Sequence, residues 1–346
     1  MMFRYGVAAA ALMFVVSGAG IAHAQFTSAR TAPFLVISMT PIHPGPREAV
    51  HLTVHSPLLD ISKNNIAWSA GGKVIAQGVG MDSADITAGA LGSRTDVVVQ
   101  ATALDGSVLS ATVRVVPTKI DLLFDSDSYV PPFYRGRALP STGTSIFLEA
   151  RPHFLRPDGS SLTDADITYT WRRNGQVLAS VSGRGKSRVA IPSPVLYSTD
   201  RISVEAISDD ESFSGEASEV IAAADPFVYL YEDSPLYGIL YNNALGASAQ
   251  INESEITLSA VPYFASVESP ADPFFRYAWR VNGTSVNADN IAPNELTLSG
   301  DPQNYEARIE LALTHARNLF LDAHGEWNVT LSASFLGDVF RSPFQQ

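Results

Sequence analysis

The sequence predicts an all-β protein of tandem β-sandwiches, and three observations carry that expectation. One strand pattern occurs three times; its copies are separated by the length of a sandwich domain; and alternation with period two dominates between them. The middle copy reads Ile167-Thr168-Tyr169-Thr170-Trp171-Arg172-Arg173-Asn174-Gly175, and the last Phe275-Arg276-Tyr277-Ala278-Trp279-Arg280-Val281-Asn282-Gly283. A degenerate first copy, Ile66-Ala67-Trp68-Ser69-Ala70-Gly71-Gly72, precedes them. Alternate residues are large and apolar, so each copy is a half-buried strand with a core tryptophan, Trp68, Trp171 or Trp279. The Asn-Gly or Gly-Gly that follows accepts positive φ cheaply, and the strand is expected to turn back there. The tryptophans lie 103 and 108 residues apart, a spacing that fits one sandwich each.

The elements follow in order. Residues 1–24 form a separate unit: Arg4, then an apolar run from Val7 to Val16, then Ala22-His23-Ala24. That is the pattern of a secretory signal peptide cleaved before Gln25. Left uncleaved, it would be a membrane anchor, the one membrane contact the sequence suggests. The first sandwich is expected over 33–117, with strands at 34–39, 50–54 and around Trp68. A hairpin joins 96–103 to 107–115 across Asp105-Gly106. The second, over 118–224, has strands at 120–124, 145–154, around Trp171, and at 188–191, 201–207 and 218–223. The third, over 225–343, repeats the order with 227–231, 255–264, the Trp279 strand, 295–298, 306–313 and 327–335. A further match relates the last two: Ala150-Arg151-Pro152-His153-Phe154 answers Ala260-Val261-Pro262-Tyr263-Phe264. The junctions at Pro117-Thr118 and Asp225-Pro226 leave almost no linker, so neighbouring domains should be stiffly arranged. Beyond the N-terminal segment, the only helix candidates are short, at 240–245 and 314–320.

Composition narrows the function classes. The 346 residues are 46% hydrophobic and 17% charged, enough for packed cores. There is no cysteine, hence no disulfide frame and no thiolate metal site. The net charge is −12, and residues 225–346 hold five basic against fifteen acidic side chains, which argues against nucleic acid as a partner. Export without cysteine points to a bacterial protein that is secreted, periplasmic or held at the cell surface.

Tyr-x-Trp-x-x-Asn-Gly at domain spacing resembles the third-strand signature of immunoglobulin-like and PKD-like domains in bacterial exported proteins. The resemblance implies immunoglobulin-like sandwiches in a spacer, adhesion or binding role. Two features depart from it: the antibody cysteine pair is absent, and Arg-Asn-Gly or Val-Asn-Gly stands where the PKD pattern has Asp-Gly.

Other motifs have plain structural explanations. Leu139-Pro140-Ser141-Thr142-Gly143 spells a sortase signal, but no apolar span and basic tail follow it. Gly183-Arg184-Gly185-Lys186-Ser187 resembles the end of a phosphate loop, yet Ser180 occupies the required upstream glycine position and no helix pattern follows. His51 and His55 lie on a strand, where four residues span about 13 Å, too far to share a metal. The pairs Asp125/Asp127 and Asp164/Asp166 and the run Asp209-Asp210-Glu211 lack the spacing of a calcium loop and read as solvated turns. No catalytic motif has usable context, and no cofactor is expected. Arg172, Arg173, Arg184, Lys186 and Arg188 form a basic group that either meets an anionic glycan or balances nearby carboxylates.

The remaining candidates lie in two long insertions, 129–143 and 235–249, which join the first and second strands of their domains. Each exceeds the usual connection of about 4–6 residues, and each carries aromatics: Phe133 and Tyr134 in one, Leu236, Tyr237 and Tyr241 in the other. They are expected either to pack on the neighbouring domain or a partner, or to fold back over their own sheet edge. The leading functional expectation is a non-enzymatic structural or adhesion protein. The alternatives are a glycan- or peptide-binding protein using these loops, and an accessory module of a hydrolase system.

Overall fold

The computed structural model describes residues 33–195, 197–286, 291–300 and 305–332. The signal-peptide segment and the last residues of the third domain lie outside that range. The chain is a tandem array of immunoglobulin-like β-sandwiches; the described residues form six sheets in three facing pairs, each pair closing on a main hydrophobic core.

The first pair comprises β1 (Val36–Thr40), β2 (Ala49–His55), β3 (Asn65–Ala70), β4 (Lys73–Val79), β5 (Ser83–Thr87), β6 (Thr95–Thr102) and β7 (Val108–Val115). Its sheets run β1-β2-β5 and β4-β3-β6-β7. The second comprises β8 (Ile120–Ser126), β9 (Ser145–Pro152), β10 (Ile167–Arg173), β11 (Gln176–Val177), β12 (Gly183–Arg184), β13 (Arg188–Pro192), β14 (Thr199–Ser208) and β15 (Ser214–Ala222). Here β13-β9-β8 faces β11-β10-β14-β15, with β12 also on β10. The third comprises β16 (Phe227–Ser234), β17 (Gly238–Ala244), β18 (Ser248–Ile251), β19 (Glu255–Tyr263), β20 (Phe275–Val281), β21 (Thr284–Val286), β22 (Glu295–Ser299), β23 (Tyr305–His315) and β24 (Asn318–Leu331). Its sheets run β17-β16-β19-β22 and β18-β24-β23-β20-β21.

The repeated strand is β3, β10 and β20, and its tryptophan does the same thing each time. Trp68 and Trp171 are wholly buried and Trp279 is 2% exposed. Each indole donates its N–H to a backbone carbonyl further along the chain: Trp68 to Met81, Trp171 to Lys186 and Trp279 to Pro293, at 2.8–3.0 Å. A buried indole left without that acceptor would cost about 1–3 kcal/mol. The tryptophan therefore ties the turn after its strand to the core.

The Asn-Gly turns supply the left-handed backbone a tight hairpin needs: φ is 51° at Asn174 and 82° at Gly175, and 51° at Asn282 and 77° at Gly283. The asparagine also braces the next strand. Asn174 Oδ1 accepts from the Arg201 N–H at 2.9 Å, and Asn282 Oδ1 from the Arg308 N–H at 2.8 Å.

Both short helix candidates fall mainly in strands. Residues 240–244 lie in β17, and 314–320 comprise the end of β23, a two-residue turn at 316–317 and the start of β24. Their apolar residues mimic a helical face because β17 is interrupted by a bulge and 314–320 reverse the chain, so neither shows a clean alternation.

Candidate functional site

The two insertions take different courses, and one groove lies where they meet. Insertion 129–143 begins and ends on its own domain. Ser126, Ser128, Ser141 and Thr144 are buried at its base. Ser128 Oγ donates to the Leu139 carbonyl at 2.7 Å, and Thr144 Oγ1 to that of Ser141 at 2.8 Å. The Arg137 guanidinium sits 4.1 Å over the Phe124 ring at the edge strand β8. The hydroxyls of Ser126, Ser128 and Thr144 suit this base because they satisfy backbone groups without filling volume.

The rest of the insertion leaves that base for the third sandwich. The Tyr129 N–H donates to the Ala265 carbonyl at 2.8 Å, and the Phe264 N–H to the Tyr129 carbonyl at 2.7 Å, a two-bond antiparallel bridge between domains. Ser266 Oγ donates to the Gly143 carbonyl at 2.9 Å and Asn318 Nδ2 to that of Thr142 at 3.0 Å. The Ala224 N–H donates to the Pro140 carbonyl at 2.7 Å. The stretch that spells a sortase signal is thus the seam between two sandwiches, with Ser141 wholly buried. Tyr134 packs edge-on against Tyr263 (centroids 5.7 Å apart, 78°) and Phe264 (6.1 Å, 72°). Tyr263 in turn stacks on Phe227 at 4.9 Å and hydrogen-bonds Tyr231 through the hydroxyls at 2.5 Å. Tyr231, Val261, Tyr263 and Phe264 form a small core of their own, joined by Tyr129 and Val130 of the insertion.

Insertion 235–249 mostly returns to its own sheets. Strand β17 extends the β16 sheet, and β18 pairs in parallel with β24 in the opposite sheet. Leu236 and Tyr237 stand at the β16–β17 turn, 84% and 80% exposed. Neither is part of the groove that Phe133 and Tyr134 line.

Between Asp233 and Tyr231 the β16–β17 register breaks, so residues 240–243 have no cross-strand partner on β16. That bulge places Tyr241 and Asn242 opposite the first insertion. Phe133, Tyr134, Arg135, Tyr241, Asn242 and Tyr263 are the main lining of a groove of about 460 Å³, within the roughly 300–1,000 Å³ range of ligand sites. Phe133 is 90% exposed and holds φ of 65°, a left-handed backbone rare for an aromatic residue. Of the insertion's two aromatics, Tyr134 packs on the third sandwich and Phe133 faces solvent. Gly136 is the reason Tyr134 can lie as it does, since a Cβ there would come within 2.5 Å of its Cζ.

The Tyr129 and Tyr241 phenols hydrogen-bond each other beside this groove, and burial together with that contact pushes the Tyr129 phenol up to about 12. Burial favours the neutral form, so the folded pKa lies above the unfolded value near 10. Tyr129's contribution to the seam is therefore complete below pH of about 10 and is lost as pH rises toward 12. A phenolate titration followed by ultraviolet absorbance should show a late rise to which buried Tyr169, Tyr263 and Tyr277 also contribute, and Tyr129→Phe should lower its amplitude by one phenol. An unchanged amplitude in the variant would place the raised phenol elsewhere.

The basic group is dispersed, and its four arginines are each paired with a carboxylate. Arg172 pairs with Glu205 at 2.9 Å and Arg184 with Asp209 at 2.5 Å, and Arg173 pairs with Asp200. Arg188 lies on the opposite sheet, 2.8 Å from Glu149. Lys186 offers its backbone carbonyl to Trp171. Each of these arginines lies across a ladder or turn from a carboxylate. The acidic runs cap turns: Asp164 accepts from Tyr169 and Ser187, and Asp210 from Ser208 and Ser212. Those hydroxyl and amide donors hold the Asp210 carboxyl down near 2. Among the described residues, no group of three or more His, Asp or Glu is arranged to hold a metal.

Sequence reasoning missed Tyr129, Arg135, Asn242, Tyr263 and Phe264. A signal for part of this set was present. Arg151 on β9 and His153 just past its end are exposed and paired with Glu149 and Asp121. Their counterparts in the matching motif, Val261 and Tyr263, are apolar and buried. An outer face that changes from charged to apolar between repeats is a covered face.

No family model matches the chain. No curated protein matches it significantly. Among solved structures it is similar to the fibronectin(III)-like modules of CbhA from Clostridium thermocellum, at 16% identity and a TM-score of 0.27, covering 54% of this chain and 94% of that one. It is similar to three N-terminal domains of the highly immunogenic outer capsid protein of bacteriophage RB49, at 12% identity and 0.25, covering 88% and 100%. A third is SGBP-B of the Bacteroides ovatus mixed-linkage glucan utilization locus, in complex with a heptasaccharide, at 14% and 0.24, covering 88% and 71%. Likeness at this level carries no argument about function.

Proposed function

We propose that the chain is an exported, non-enzymatic bacterial protein whose three immunoglobulin-like domains (33–117, 118–224 and 225–343) form a stiff array at the cell surface or envelope, in a structural or adhesive role. The observation that carries this reading is the seam of the second and third sandwiches. A flexible linker would leave Tyr263 and Phe264 in water; here a loop, a β-bridge and side-chain hydrogen bonds cover them. The first junction is also packed: the Thr118 N–H donates to the Pro44 carbonyl at 2.9 Å, and Arg94 lies 5.2 Å over the Phe213 ring. Ser214 Oγ and His43 Nδ1 meet there at 3.0 Å. The geometry of that pair is not that of a nucleophile and base, because among the described residues no carboxylate lies within ion-pair distance of His43 to orient it and nearby Glu205 is held by Arg172. Among the described residues no helix is long and apolar enough to cross a membrane.

Cell fractionation with mass spectrometry tests export: the exported chain should begin at Gln25. An intact N-terminus in the membrane fraction would make residues 7–22 an anchor and the array a tethered one. A second reading, recognition of a glycan or peptide by the loops of the second and third domains, is favoured by the groove at the seam.

A further inference from the structure

We infer that the groove between residues 133–135 and 241–242 binds an acidic glycan, with the ring of a uronic acid laid on the Phe133 and Tyr241 aromatic surfaces and its carboxylate on Arg135. The inference rests on the second reading above, that the insertions form a recognition surface. Four observations converge on it. The groove lies at a domain junction, where ligand sites concentrate, and both domains contribute to its walls. Phe133 is held at positive φ with its ring in solvent, and backbone strain of that kind clusters at ligand sites. The β17 bulge re-aims Tyr241 and Asn242 into the groove. Arg135 lines it and, among the described residues, has neither a carboxylate nor a ring partner, unlike Arg172, Arg184 and Arg188 of the same domain, each of which has its carboxylate.

The chemistry of that set selects the ligand class. Aromatic faces accept the apolar C–H face of a pyranose, an asparagine amide offers a donor and an acceptor to adjacent hydroxyls, and a guanidinium grips a carboxylate in bidentate fashion. A peptide added as a strand fits less well, because the bulge interrupts the β17 edge that it would have to extend. The chain's net charge of −12 opposes an anion at long range. That field is screened beyond roughly 8 Å at physiological salt, so the local guanidinium decides at contact.

The test is isothermal titration of the full chain with tri- and tetragalacturonate, alongside neutral cellotetraose. The acidic oligomers should bind at least tenfold tighter than the neutral one, and raised salt should weaken them. Arg135→Gln should remove most of that preference, Phe133→Ala should weaken binding severalfold, and Arg188→Gln should leave it unchanged. Galacturonate binding that ignores Arg135→Gln overturns the assignment. Cellotetraose binding that depends on Phe133 without galacturonate preference overturns the acidic class while the recognition surface stands. A phage-displayed peptide library yielding Phe133-dependent peptides, with no glycan bound, would make the ligand a peptide. Absence of all binding defeats both the inference and the reading beneath it.

Discussion

Trp171→Ala should destabilise the second sandwich by about 3–5 kcal/mol, the range for removing a large aromatic from a packed core. Trp171 has no solvent exposure and sits among Ile146, Leu148, Val204 and Ile202 between the two sheets. The substitution opens a cavity and leaves the Lys186 carbonyl without the indole N–H. Domains of this size are stable by only about 5–15 kcal/mol. Urea unfolding of the full chain should therefore show one early transition assigned to residues 118–224, with the first sandwich unaffected. Trp171→Phe keeps much of the volume but not the hydrogen bond, and should fall between the two. If alanine there costs no more than a surface substitution, the tryptophan is not the keystone of its domain.

Gly143→Ala should loosen the seam between the second and third sandwiches. Gly143 holds φ of 97°, and a Cβ on it would lie 3.0 Å from Asn318 Nδ2 and 3.3 Å from Ser266 Oγ, both on the third domain. The backbone conformation alone costs an L-residue about 1–2 kcal/mol. Displacing Asn318 and Ser266 weakens two hydrogen bonds, at about 0.5–1.5 kcal/mol each. Asn318→Ala removes one of those bonds without straining the loop, so it separates a seam effect from damage to the second domain. In both variants the third sandwich should unfold more independently of the second, as read by calorimetry. An unchanged calorimetric profile for both would mean the seam contributes nothing to coupling.

The legible part of the fold was the part with local causes. Asn-Gly after Tyr-x-Trp dictates a hairpin through positive φ at two consecutive residues, and Trp68, Trp171 and Trp279 mark one strand in each domain. Strands β11, β12 and β21 are two or three residues long, too short to show a period, and β17 is broken by its bulge. The site was half legible. Phe133, Tyr134 and Tyr241 could be picked out as aromatics in long insertions, but nothing local shows that Tyr129 meets Ala265 or that Arg135 and Asn242 line one groove. Those contacts join residues more than a hundred positions apart. Their one trace in sequence is the change from Arg151 and His153 to Val261 and Tyr263 between repeats.

The central claim is that the second and third sandwiches hold one fixed relative orientation through the 129–143 insertion. Because the chain has no cysteine, two spin labels can be placed uniquely, at Val177→Cys and Thr284→Cys, both exposed and on equivalent hairpins of the two domains. Pulsed electron–electron resonance between them should give a single narrow distance distribution in the native background, which broadens when Gly143→Ala is added. A broad distribution in the native background would contradict the account, because the seam would then not fix the domains.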